Sequence, residues 1–89
     1  MKNALDYTNE IITDLQNREE DCERNYNAFH KEWERLMAEC KTLVDGGATI
    51  MSPELLNNTE NRHATFERMQ EFDEESKAIR AAITAIATA

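Results

Sequence analysis

The sequence predicts an all-α fold: an antiparallel two-helix hairpin of coiled-coil type that dimerises into a four-helix bundle. Three observations predict it. A seven-residue apolar rhythm runs from Leu5 to Leu43 with no Pro or Gly to interrupt it. A single break follows at Gly46-Gly47, and a helix-start signal, Ser52-Pro53-Glu54, comes soon after it. Elsewhere the chain is built from strong helix formers, and its two Gly and one Pro are too few for the turns of a β fold.

In the first element, placing Leu5, Ile12, Glu19, Tyr26, Trp33 and Cys40 at heptad position a puts Thr8, Leu15, Cys22, Phe29, Leu36 and Leu43 at d. All but Thr8 and Glu19 are apolar, aromatic or cysteine. The residues between them are mostly charged or amide, as in a helix with one buried seam. The helix is expected over about residues 3–45, a length of roughly 60 Å. It should end at Asp45-Gly46-Gly47, because glycine takes up the left-handed conformation that closes a helix. Residues 46–52 then form a loop. Ser52 is the expected N-cap, Pro53 the first helical residue, and Glu54 a favourable charge at the positive end of the helix dipole.

The second helix is expected from Pro53 to about residue 87. Its a positions are Leu55, Arg62, Met69, Ser76 and Ile83, and its d positions are Asn58, Thr65, Phe72, Ile79 and Ile86. The second half is regular. The stretch Asn57–Thr65 is polar and puts Arg62 in the seam, so it is expected either to fray or to receive a partner. The tail Ala81–Ala89 contains only Ala, Ile and Thr, and such small side chains predict close helix approach at a buried end. Folding the chain about residues 48–49 pairs Ile83 and Ile86 with Ile11, Ile12 and Leu15, and Phe72 with Cys22 and Tyr26. It also pairs Met69 with Phe29, Phe66 with Trp33, and Leu55 with Cys40 and Leu43. Glu19 falls near Lys77 and Arg80.

The whole chain, residues 1–89, reads as one domain. One seam does not absorb all its apolar side chains. Ile11, Met37 and Val44 are left beside the first stripe, and Leu56 and Phe66 beside the second. A stripe wider than a and d is the pattern of a helix in a bundle. The expected partners are therefore a second copy and another protein. The residues expected to form the seam or meet a partner are Ile12, Leu15, Tyr26, Phe29, Trp33, Leu36, Phe66, Met69, Phe72, Ile79, Ile83 and Ile86.

Charge narrows the partner class. The formal net charge is −8, and the excess is spread along the chain rather than packed into a tail. Such a surface repels phosphate, so direct nucleic-acid binding is not expected. The runs Glu19-Glu20-Asp21 and Asp73-Glu74-Glu75 form a candidate acidic face for a basic protein surface, although charge runs are usually solvated. No apolar run reaches membrane-spanning length and no secretory leader pattern is seen. Cys22 and Cys40 on one continuous helix would lie about 27 Å apart, too far for an intrachain disulfide. Reduced thiols in a cytoplasmic protein are expected.

Catalytic chemistry finds little support. No Ser/His/Asp or Cys/His arrangement stands out, and Gly46-Gly47 ends a helix rather than opening one around a phosphate. Glu60 and His63 match the Glu-x-x-His spacing of bundle metal sites, but no further inward-facing carboxylates accompany them, so they are a weak metal candidate. His30 and Glu34 are spaced for a solvated ion pair. No cofactor and no enzymatic activity are expected. In size and hairpin shape the chain is similar to small bacterial and phage accessory proteins, such as type III secretion co-chaperones and phage-encoded inhibitors. That likeness is one of shape and composition, and it implies the cytoplasm of a bacterial or virus-infected cell. The expected function is an acidic helical interaction module that self-associates and binds or sequesters a partner. The alternatives are an acidic inhibitor that mimics nucleic acid, and a ligand or metal site at an oligomer interface.

Overall fold

The computed structural model describes residues 3–88. They form two helices, α1 (Ala4–Asp45) and α2 (Pro53–Thr88), and no strand is present among them. The molecule measures 68 × 16 × 15 Å, a rod with the cross-section of two helices.

Helix α1 starts at a capping box. The Asn3 side chain accepts the Asp6 amide at 3.0 Å, and the Asp6 carboxylate accepts the Asn3 amide at 3.2 Å. This Asn-x-x-Asp pair satisfies two of the free amides of the first turn. The helix ends in a Schellman motif: the Ala48 amide donates to Leu43 O at 2.9 Å and the Gly47 amide to Val44 O at 3.0 Å. The left-handed residue is Gly47, with φ +94°, while Gly46 keeps φ −80°.

The start of α2 departs from the expected cap. Ser52 O accepts the Leu56 amide, so Ser52 stands at the cap position, but its hydroxyl turns back and accepts the Thr49 amide at 2.9 Å. The Ser52 amide in turn donates to Thr49 O at 2.9 Å. The hydroxyl closes the loop because the Thr49 amide, lying beyond the end of α1, has no helical carbonyl to bond.

The two helices meet along their length. Glu19 contacts Arg80, Phe29 stacks on Phe72, and Leu36 is hydrogen-bonded to Asn58, so one residue number falls as the other rises. The buried residues are Cys22 and Leu36 on α1, and Asn58, Thr65, Met69, Ser76 and Ile79 on α2. Each lies at an a or d position of the sequence heptads. Every other a or d residue is half-buried except Leu5, which is exposed.

Two expectations are overturned. The stretch Asn57–Thr65 is not frayed: it is helical throughout, with Asn58 and Thr65 buried and most of its other residues exposed. The tail is not a buried end. Between Ala81 and Thr88 only Ala82, Ile83 and Ile86 are half-buried and the rest are exposed, because across the pair only the start of α1 lies there to cover them. Ala89 falls outside the described residues.

The positive φ at Gly47 sets a measurable cost. An added Cβ would meet nothing within 4 Å, so steric clash is not the issue and backbone strain is. Gly47→Ala is expected to lower unfolding stability by about 1 kcal/mol. Denaturant unfolding followed by circular dichroism checks this, with no loss of helix expected below the transition.

Candidate interaction surface

Few apolar side chains are fully enclosed in the seam. The buried hydrophobic residues are Cys22, Leu36, Met69 and Ile79, and the polar residues Asn58, Thr65 and Ser76 are buried among them. Asn58 is 0% exposed, and its amide group joins the two helices. Its Nδ2 donates to Leu36 O at 2.9 Å and to a Glu39 carboxylate oxygen at 3.1 Å. Its Oδ1 accepts from Arg62 Nε at 2.7 Å. Arg62 also donates to Thr59 Oγ1 at 3.1 Å and approaches Met37 Sδ at 3.7 Å, while Arg35 donates to Glu39 on the outer side. The polar half of α2 is therefore held by a network running from Arg35 through Glu39 and Asn58 to Arg62. A buried amide with satisfied hydrogen bonds costs little to keep and fixes the register of the pair.

Near the middle, Phe29 and Phe72 stack with ring centroids 5.8 Å apart. The Arg68 guanidinium lies over both rings, at 5.7 and 5.3 Å, and is also paired with Glu71. Phe29 thus pairs with Phe72. Met69, the residue expected opposite Phe29, is buried and shares a surface groove with Tyr26 and Phe66. Towards the chain termini, Arg80 bridges Glu19 at 2.5 Å and Glu23 at 3.6 Å. Lys77 pairs with Asp73 instead of Glu19. The hydrogen bonds to Glu19 and Asp73, and then the charges of those carboxylates, raise the pKa values of Arg80 and Lys77 respectively.

The seam residues Leu36, Met69 and Ile79 are buried between the helices, and Ile12, Leu15, Tyr26, Phe29, Trp33, Phe72, Ile83 and Ile86 are half-buried. All eleven line the helix contact rather than standing free. Phe66 alone of the twelve is exposed, at 44%. Trp33 sits beside His30 at 6.2 Å, and His30 stacks on Tyr26 at 6.1 Å, so three rings form a ladder along α1. The five side chains expected to be left over, Ile11, Met37, Val44, Leu56 and Phe66, are all exposed. So are Leu5, Tyr7, Ile50 and Met51. Ile50 and Met51, in the loop just before α2, reach 77% and 76%.

The acidic residues do not gather on one face. Successive helical residues point about 100° apart, so Glu19-Glu20-Asp21 and Asp73-Glu74-Glu75 each wrap around their helix. Glu19 is drawn into the seam by Arg80, Asp21 pairs with Arg24, and Asp73 pairs with Lys77. Glu20, Glu74 and Glu75 are exposed. The proposed Glu60–His63 pair is also not assembled: His63 Nε2 lies 2.9 Å from Glu67, one turn on. No group of three or more His, Cys, Asp or Glu that could hold a metal occurs among the described residues. His30 and Glu34 are 3.3 Å apart, as their spacing predicts.

Cys22 and Cys40 are both free thiols, one buried and one half-buried. Burial, and then the neighbouring Glu75 carboxylate with a smaller contribution from Glu19, push the Cys22 thiol above its ordinary pKa. No helix among the described residues is long and apolar enough to cross a membrane. Comparison with protein-family models, curated proteins and solved structures finds no match.

Two measurements follow from this surface. Asn58→Ala strands the Leu36, Glu39 and Arg62 partners and is expected to cost about 2 kcal/mol. Trp33→Ala should cost a similar amount, about 2 kcal/mol, because Trp33 is only half-buried. Chemical denaturation of both variants reads these values. The thiolate is the reactive form of cysteine. Iodoacetamide is therefore expected to modify Cys40 well before Cys22 in peptide mapping by mass spectrometry, and Glu75→Gln should speed modification at Cys22.

Proposed function

We propose that this chain is a non-enzymatic helical-hairpin interaction module that works by self-association, two copies closing into a four-helix bundle that then binds or sequesters a partner protein. The observation that carries this reading is a surplus of surface. The chain exposes 6645 Å², whereas a compact monomer of 10.3 kDa would expose about 5,400 Å². The surplus, about 1,200 Å², exceeds the roughly 800 Å² that each partner buries in a standard interface. Large apolar side chains stand exposed beside the heptad seam, at Ile11, Met37, Val44, Leu56 and Phe66, and in the loop, at Ile50 and Met51. A rod one side chain deep cannot cover these residues by itself, and a second rod can.

The acidic-inhibitor reading has less support, because the six carboxylates do not share one face and Glu19, Asp21 and Asp73 are occupied by arginine or lysine.

Sedimentation equilibrium or light scattering tests the proposal. The expected mass is twice 10.3 kDa. Burial of apolar side chains does not weaken with salt, so the dimer should persist between low and high ionic strength. A single-chain mass at all concentrations would overturn the reading.

A further inference from the structure

The surplus apolar side chains are not evenly distributed, and their positions say how a second copy would fit. In the heptad pattern Met37 and Val44 follow the d residues Leu36 and Leu43, and Phe66 follows the d residue Thr65. Glu23 and Arg80 occupy the same heptad position and touch at 3.6 Å, so these positions of α1 and α2 lie on one shared flank. Arg62 reaching Met37 at 3.7 Å places the loop-proximal half of the same flank. The other flank is closed by charge: Arg68 covers Phe29 and Phe72, and Arg35 is paired with Glu32 and Glu39.

The loop-proximal half of this flank is also nearly neutral. Between Asn27 and Val44 on α1, and between Leu56 and Gln70 on α2, its positions carry formal charge only at Glu34 and Lys41, with Arg62 at the edge, on a chain of net charge −8. Laid antiparallel against the far half of the same flank in a second copy, which carries Glu23, Asp73 and Arg80, this half brings no run of like charge to the contact. Farther from the loop the same flank opens into a groove of about 440 Å³. Its floor includes Cys22, Tyr26, Phe72 and the buried Ser76, whose Oγ has no hydrogen-bond partner, and charged residues Glu23, Asp73 and Arg80 stand around it. Most of the lining is polar, and the apolar surface open to a second copy's side chain is that of the Tyr26 and Phe72 rings beside Cys22.

Ridge and groove are symmetrically offset. Along α2, Phe66 and Ser76 each lie about 7.5 Å from the level of Glu71, one on either side. A two-fold axis through the flank at that level exchanges the two positions. We propose that this flank is the contact between two copies of the chain, packed antiparallel, with Phe66 of each copy seated in the Tyr26–Phe72–Ser76 groove of the other. This rests on the self-association reading above and names its surface and geometry. The surplus area of each chain matches an interface of this kind, and a C2 contact needs a surface that is its own complement.

The test is sedimentation equilibrium on the full chain and three variants. Phe66→Ser removes the ridge, and Asn27→Trp sets an indole on the exposed lip of the groove. Each is expected to weaken dimerisation by about tenfold or more, with helical circular dichroism unchanged. Ile11→Ser removes an equally exposed apolar side chain from the other flank and should leave the dimer constant as in the wild type. If Phe66→Ser lost helix, Asn27→Trp would decide the matter. A wild-type dimer that tolerates either Phe66→Ser in its folded form or Asn27→Trp would overturn the groove contact while leaving self-association standing. A wild type that stays monomeric throughout would overturn both.

Discussion

Two helices side by side have one contact line and no interior beyond it. That constraint governs this molecule. In a rod 16 Å wide each seam residue touches only the facing helix, so a side chain is enclosed only where its neighbours on both helices lean over it. Leu36, at 2% exposure, achieves this beside Asn58, whereas the aromatic residues Trp33 and Tyr26 do not. Much of the cross-helix connection therefore comes from polar links that need no thick core: the Asn58 amide, the Arg68 cap over two phenyl rings, and the Glu19–Arg80 bridge. They act in the loop-proximal, middle and open parts of the rod respectively.

Of these, the Asn58 node differs in kind. The Arg80 side chain is more than half exposed, and an ion pair on such a surface contributes little after solvent screening. Asn58 is fully enclosed, and sliding α2 along α1 by one residue would leave its amide without acceptors in a water-free place. Leucine there would offer more burial but would accept neighbouring registers almost equally. The network thus trades apolar contact for a defined alignment, and the alignment in turn determines where the exposed apolar side chains lie along the rod.

Much of this was legible in the sequence because heptad spacing and helix stop signals are local. The helix limits follow from Gly46-Gly47 and Ser52-Pro53, and the a and d positions from residue 8 to residue 86 are the covered ones. The five side chains outside the seam are also readable, since each lies one step from an a or d position, about 100° round the helix from it. What local spacing could not show was how polar residues would behave at covered positions. Asn58 and Arg62 look like flaws in a stripe until the Leu36 carbonyl and Glu39, nineteen or more residues away, are placed beside them. The Ser52 hydroxyl departs from a helix cap for a related reason: the competing donor, the Thr49 amide, lies in the loop. The Asn3–Asp6 capping box is signalled by its Asn-x-x-Asp spacing.

The length of the rod carries a practical consequence of its own. With one dimension more than four times the others, the molecule tumbles and diffuses as a slender object. Its friction with solvent exceeds that of a sphere of equal mass, so it travels through a porous matrix as a larger compact protein would. Retention volume calibrated on globular standards will therefore overcount chains, and side-by-side pairing, which thickens the rod without lengthening it, will move that volume less than a doubling suggests.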